Sequence, residues 1–76
     1  MRYAIVIEPT TQGCSAYVPD LPGCIATARN RTDVRLLIAE AMALHLAGLR
    51  EDGESIPVPS IVVEYVEVES QDLIPQ

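Results

Sequence analysis

The residues with the widest chemical repertoire in this sequence are its one histidine, His45, and its two cysteines, Cys14 and Cys24. A histidine acts as a general base only when a nucleophile or an orienting carboxylate lies beside it, and no such partner is near His45 in the sequence. We therefore predict that His45 is a partly buried structural residue whose ring bonds a backbone carbonyl. A pH-sensing role is the alternative.

The two cysteines lie on either side of a turn that follows Val18. If Val18 pairs with Cys24 across this turn, Cys14 falls opposite Ala28, four residues along the chain from Cys24. A disulfide requires Cα atoms ~4.4 to 6.8 Å apart, and this register separates them further. A structural zinc site needs four nitrogen or sulfur ligands, more than the cysteines and His45 supply. The sequence predicts free thiols, no metal and no cofactor.

Three glutamates are the remaining candidates for chemistry, because two-metal nucleases hold their ions with carboxylates. Carboxylates of this kind come from strands and from a helix packed against them, which nominates Glu8, Glu40 and Glu64. Glu8, however, lies at the end of its predicted strand, and Glu40 points away from the sheet-facing side of the predicted helix. Carboxylates are the ordinary outward residues of a small domain. We predict no catalytic residues, and a metal-dependent nuclease is the least favoured function.

Length and composition allow one small domain, since the chain has 76 residues of which 49% are apolar. A chain of this size buries only about 60% of the surface that its unfolded form exposes, so a second subunit commonly adds to its core. Its apolar runs are too short for a signal peptide or a membrane span. These features predict a cytoplasmic protein without a membrane contact.

The charge balance restricts the class of partner. Eleven acidic residues against five arginines give a net charge of -6. Such a surface repels phosphate groups, so we do not expect direct binding of DNA or RNA. A basic protein, in contrast, would be attracted to it.

Three short strands are predicted over residues 3–7, 14–18 and 24–28. Between the second and the third, Pro22 presets the φ angle of the first central position of a type II turn, and Gly23 supplies the positive φ of the next. The turn reverses the chain, so strands two and three should be antiparallel.

One long helix is predicted over residues 33–52, with Thr32 as its N-cap and Gly53 as its C-terminal stop. Beyond it, prolines keep residues 56–59 extended, and residues 61–66 form a fourth strand. A right-handed crossover would place this strand parallel to the first. The predicted fold is a two-layer α+β domain of order βββαβ over residues 1–69, with one helix on one face and a flexible tail at 70–76.

The helix is apolar on two sides. The sheet-facing side is predicted to consist of Val34, Ile38, Ala41, Met42, His45 and Leu49. The opposite side carries Leu36, Ala39, Ala43, Leu46 and Ala47. Because the chain offers nothing to cover this second side, we predict a homo-oligomer or an obligate partner there.

Two segments resemble the HicB family of antitoxins. Residues 17–24 contain the turn Pro-Asp-Leu-Pro-Gly-Cys, and residues 51–60 contain the helix exit Asp-Gly-Glu-Ser-Ile-Pro-Val-Pro. The resemblance covers residues 1 to about 68 and implies a partial ribonuclease H-like fold without nuclease activity. It also implies a partner, HicA, a small basic ribonuclease that cleaves mRNA and whose active face the antitoxin covers. We expect contacts to such a toxin from the turn residues Asp20, Leu21, Pro22 and Gly23.

The sequence departs from the family pattern in two places. Many members carry a C-terminal helix-turn-helix or ribbon-helix-helix domain that binds their operator, and residues 70–76 are too few for one. The helix start, residues 30–35, is basic where the family tends to be acidic, which would alter the choice of toxin. Three functions therefore stay open: a toxin-neutralising module, an orphan homo-oligomer without a toxin, and a metal-dependent nuclease.

Overall fold

The computed structural model describes residues 1–70. Strands β1 (Val6–Thr10), β2 (Gly13–Tyr17) and β3 (Ile25–Ala28) precede helix α1 (Arg31–Glu51). The strands form an antiparallel sheet of order β1-β2-β3. The α+β class with three antiparallel strands and one helix is therefore confirmed. Apart from Ser70, the predicted tail lies outside the described residues.

Strand β1 starts and ends three residues later than predicted, because its hairpin partner sets its position. Thr10 pairs with Gly13, which closes a two-residue turn, and Pro9 pairs with Cys14 within the ladder. Proline lacks an N–H and is tolerated on an edge strand whose open side needs no donor. β1 is such an edge, so Pro9 does not end the strand as predicted.

The turn between β2 and β3 forms as the sequence predicts. Leu21 N–H donates to the Val18 carbonyl and Cys24 N–H donates to the Leu21 carbonyl, both at 3.0 Å. Gly23 has φ of 85°, the left-handed value that a type II turn requires at this position. The predicted register is confirmed as well, since Cys14 pairs with Ala28 and both cysteines are free.

Helix α1 begins two residues earlier than predicted, because Asn30 and not Thr32 is its N-cap. The Asn30 side-chain oxygen accepts a 2.8 Å hydrogen bond from the Asp33 N–H, and its amide donates to the Asp33 carboxylate at 3.1 Å. The first bond satisfies one of the backbone donors that the first helical turn leaves free, and the second holds the two side chains together. At the other end, Gly53 takes φ of 69° and stops the helix as predicted.

The core lies between the helix and one face of the sheet, and the helix lies over β3 and β2. Its fully covered side chains are Ala16, Val18, Leu21, Cys24, Val34 and Ile38. The predicted sheet-facing side of the helix is confirmed: Val34 and Ile38 are buried, and the other members are partly buried. The helix leaves strand β1 largely uncovered.

The predicted fourth strand is not confirmed, since residues 54–69 lie outside helix and strand in this chain. Every residue from 60 to 69 is exposed. The molecule measures 52 Å along its longest axis, and its radius of gyration is 15.8 Å. A compact domain of this length would have a radius near 11 Å. Residues 61–69 thus form an extended segment, here termed the exposed arm, that lacks the neighbour a strand requires.

Candidate protein-binding surfaces

Asp20, in the turn between β2 and β3, holds the chain at the base of the exposed arm. One carboxylate oxygen accepts hydrogen bonds from the N–H groups of Ser60 and Ile61 at 3.0 and 3.2 Å. The other accepts from the Ser60 hydroxyl at 2.8 Å. These bonds, above all the one from the Ser60 N–H, lower the pKa of the Asp20 carboxyl from its ordinary value. The two segments that resemble the antitoxin family are therefore joined to each other.

The rest of the turn divides into a buried and an exposed part. Leu21 is fully buried in the core and presents no side chain to a partner. Pro22 and Gly23 are exposed. Asp20 is partly buried and occupied by its bonds to Ser60 and Ile61. Of the four residues predicted to contact a toxin, Leu21 is the one whose side chain a partner cannot reach.

The outward side of α1 is apolar and exposed, largely as predicted. Leu36 is 63% exposed, and the alanines at 39, 43 and 47 surround it along the helix. Leu46 differs from the prediction: it is partly buried and packs against the core, because the helix rotates this position towards the sheet. Leu44, which is 75% exposed, belongs to the outward side instead. A helix that is apolar nearly all round gives a weak signal for its orientation, which explains why Leu46 was placed on the wrong side and Leu44 on neither.

A cleft of about 780 Å³ lies between α1 and the segment that leads into β1. Its apolar lining includes Ile5 and Ile7 on the sheet side and Ile38 and Met42 on the helix side. Three of the five arginines also line it, namely Arg2, Arg31 and Arg35. The cleft is thus a local basic surface on an acidic molecule. The cleft is not among the predicted sites, although the basic residues at the helix start were a signal for it.

The three nominated glutamates do not form a metal site in the described part of the chain. Glu8 lies in β1, Glu40 in α1 and Glu64 in the exposed arm, and all three are exposed. Among residues 1–70, no group of three or more histidine, cysteine, aspartate or glutamate side chains is placed to hold a metal ion. The structure therefore does not bring Glu8, Glu40 and Glu64 together within the described residues.

His45 and the cysteines occupy structural positions. His45 is partly buried on the sheet-facing side of α1. Cys24 is buried, and burial raises the pKa of its thiol, while Cys14 is partly buried. A thiol held in its protonated form is a poor nucleophile, so Cys24 serves the core. None of the described helices is both long and apolar enough to cross a membrane.

Comparison with known proteins gives a family. The model of the HicB-like antitoxins of bacterial toxin–antitoxin systems matches residues 3–74. A 14.9 kDa protein of the rep-hol intergenic region of Haemophilus phage HP1 is 33% identical over 66 residues, which cover 87% of this chain. Those residues are 50% of the phage protein, so the chain spans half the length of this relative.

A solved structure shares the fold. One chain of the HicA3 and HicB3 toxin–antitoxin complex superimposes with a TM-score of 0.68 and 32% sequence identity. The match covers 78% of the present chain and 70% of that chain. Identity and fold thus point to the same family over most of the molecule.

Proposed function

This chain belongs to the family of HicB-like antitoxins of bacterial toxin–antitoxin systems, and we propose that it neutralises a HicA-type mRNA-cleaving toxin by covering the toxin's active face. The observation that carries the proposal is the 32% identical match to a chain of the HicA3 and HicB3 complex. Neutralisation of this kind is stoichiometric binding without turnover, and it requires no metal or cofactor.

Electrostatics supports a basic partner. The family resemblance implies a basic toxin, and this chain has a net charge of -6. Opposite net charges steer two proteins together and raise the association rate, and added salt screens this attraction. We therefore expect the association rate constant with the toxin to fall as ionic strength rises, whereas the apolar contacts set the dissociation rate.

The outward side of α1 is our proposed contact surface for the toxin. It presents Leu36 and Leu44, 63% and 75% exposed, on a rigid element with small alanines between them. Exposed apolar side chains on a monomer commonly mark a protein interface. Pro22, exposed in the type II turn, is a second proposed contact.

The test is an RNA-cleavage assay with purified candidate toxin and increasing amounts of this protein. Cleavage should stop at a fixed molar ratio, and Leu36→Arg should require a larger excess for the same inhibition. Thr27→Arg is the matched control, because it adds the same charge at an exposed position of β3. Full-rate cleavage in excess wild-type protein would reject the toxin as the partner and favour an orphan protein. Magnesium-dependent RNA cleavage by the purified protein alone, lost in Glu8→Gln with Glu64→Gln, would replace the proposal with a nuclease.

A further inference from the structure

We propose that two copies of this chain exchange their exposed arms, so that residues 61–69 of one copy add a fourth strand to the β1 edge of the other and cover its cleft. This inference is independent of the toxin. It concerns a second surface, which adjoins the outward side of α1 at Ala39 and extends from there to β1, and its occupant is a second copy of the chain.

The exposed arm has the composition of a β-strand, but no neighbouring strand pairs with it in this structure. Six of its nine residues are apolar and most are β-branched, a pattern that favours strands. Val62 is 79% exposed, Val66 is 85% exposed and Tyr65 is 94% exposed. A row of such side chains in water is unfavourable, and the unpaired backbone beside them is free to join the edge of a sheet. The arm therefore needs a docking surface that its own copy does not provide in this structure.

The open edge of β1 offers the backbone groups that such a strand needs. The Thr10–Gly13 pair closes the hairpin, so residues of that parity bond to β2. The alternate residues, Pro9, Ile7 and Ile5, then turn their backbone groups to the open side. Pro9 has no N–H to offer, whereas the N–H and C=O groups of Ile5 and Ile7 are available. β1 is thus an edge on which a further strand can be built.

The cleft beside this edge matches the arm in polarity and in charge. Its apolar lining comes from Ile5 and Ile7 opposite Ile38 and Met42. Its rim carries three arginines, at positions 2, 31 and 35. The arm carries three glutamates, at positions 64, 67 and 69. Apolar side chains flanked by opposite charges on the two surfaces favour this pairing over other placements of the arm.

The arm lies beside the β1 edge of its own copy without being buried there, and exchange with a second copy would supply the contact that it lacks. Asp20 holds the base of the arm through Ser60 and Ile61. Beyond that point Tyr65 borders a smaller cavity with Ile5 and Ile7, yet its ring is 94% exposed. Its own chain therefore does not bury it. Nine extended residues span about 30 Å, which is ample to reach the edge of a second copy.

The first test compares self-association of two variants by sedimentation. Val63→Asp places a charge in the arm and should raise the dimer dissociation constant by about tenfold or more. Leu36→Asp places the same charge on the outward side of α1 and should leave that constant unchanged. Both positions are exposed, so thermal unfolding should show that both variants stay folded. A monomeric wild-type protein, or a dimer sensitive to Leu36→Asp alone, would overturn the proposal.

The second test uses charge reversal in trans. One variant carries Arg31→Glu and Arg35→Glu in the cleft, and the other carries Glu64→Arg and Glu67→Arg in the arm. Each alone brings like charges together and should dimerise more weakly than wild type. Mixed, the two variants should form a heterodimer, because arm and cleft are again opposite in charge in both exchanged contacts. No gain in association on mixing would contradict arm exchange.

The third test distinguishes exchange from docking within one copy. A mixture of isotope-labelled and unlabelled wild-type protein should give intermolecular NOEs between Tyr65 of one copy and Ile5 or Ile7 of the other. Contacts confined to a single copy would overturn the proposal and assign the arm to its own sheet. The measurement contains no toxin, so its result is separate from that of the cleavage assay.

Discussion

Gly13 begins β2 at a point where the end of β3 passes close to its Cα atom. A Cβ atom there would lie 2.7 Å from the Cα atom of Arg29 and would also strike the Ala28 carbonyl oxygen. Both neighbours are backbone atoms of a paired strand and its exit, so they cannot rotate away. We expect Gly13→Ala to lower the free energy of unfolding by about 1 to 3 kcal/mol, measured by urea denaturation.

Gly48 provides the matched control for this substitution. It lies inside α1, and a Cβ atom there would meet nothing within 4 Å. Gly48→Ala should raise the free energy of unfolding by about 0.5 to 1 kcal/mol, since alanine favours the helix. A Gly13→Ala protein as stable as Gly48→Ala would show that β2 and β3 do not approach each other as described.

Asp20 should make the stability of the fold depend on acid. Its pKa in the folded chain is lowered from the ordinary value of 3.8. The stabilising effect of its charge is therefore complete above that value and is lost as the pH falls through the lower, folded pKa. We expect Asp20→Asn to lower the thermal midpoint at neutral pH and to flatten its decline in acid, as followed by circular dichroism.

Two variants separate this effect from a general loss of charge. Ser60→Ala removes one hydroxyl donor and keeps both backbone donors, so its thermal midpoint should lie between those of wild type and Asp20→Asn. Glu40→Gln removes the charge of an exposed helix carboxylate that has no part in these bonds, so its thermal midpoint at neutral pH should stay near that of wild type. An unchanged midpoint in Asp20→Asn would mean that the bonds from Ser60 and Ile61 to Asp20 do not stabilise the fold.

The position at which α1 begins can be tested by substituting its capping residue. The Asn30 side chain accepts a hydrogen bond from the Asp33 N–H in the first turn. Thr32, in contrast, is the second residue of the helix and does not cap it. Asn30→Ala should lower the free energy of unfolding by about 1 kcal/mol, as loss of an N-cap does. Thr32→Ala should change it little. The reverse order of the two variants, measured by urea denaturation, would restore Thr32 as the cap.

Local chemistry explains why much of the fold follows from the sequence. Pro22 and Gly23 allow few backbone conformations, so they fix the turn and with it the register of Cys14 opposite Ala28. The inner side of α1 follows from its apolar spacing. The helix start was misplaced because both Asn30 and Thr32 are good caps, and only the position of Asp33 decides between them. A strand, in contrast, depends on a distant neighbour, and the sequence cannot place one beside residues 61–66.

The same limit applies to the candidate surfaces. Leu21 was predicted as a contact because it lies in a motif, yet its side chain fills the core. Of the outward leucines, Leu36 was predicted and Leu44 was not. The composition of α1 shows that a second apolar side exists, but it does not determine which residues lie at the middle of that side. The arginine-lined cleft brings together Arg2 and Arg35, which are distant in the sequence. It arises only when the chain folds, so no local sequence pattern predicts it.

The net charge of the molecule does not show that its basic and acidic side chains lie in different regions. The chain has a net charge of -6, yet three of its five arginines line one cleft. Two copies should therefore repel each other at long range and attract each other where arm and cleft meet. A basic toxin would meet the acidic remainder. Under the two proposals made above, one small domain would bind its own copy at the cleft and a different partner on the outward side of α1.

The exposed arm also has a consequence for the lifetime of the protein. Proteases cut extended, accessible chain, and residues 61–69 present Tyr65 to chymotrypsin and Glu64 and Glu67 to a glutamate-specific enzyme. Arm exchange would remove these bonds from reach, so dilution should accelerate cleavage at Tyr65 far more than mass action on the protease alone predicts. Digestion followed by mass spectrometry over a concentration series measures this, and a rate independent of concentration would contradict it. At low concentration the protein would then be degraded faster per molecule than at high concentration, where arm exchange protects it.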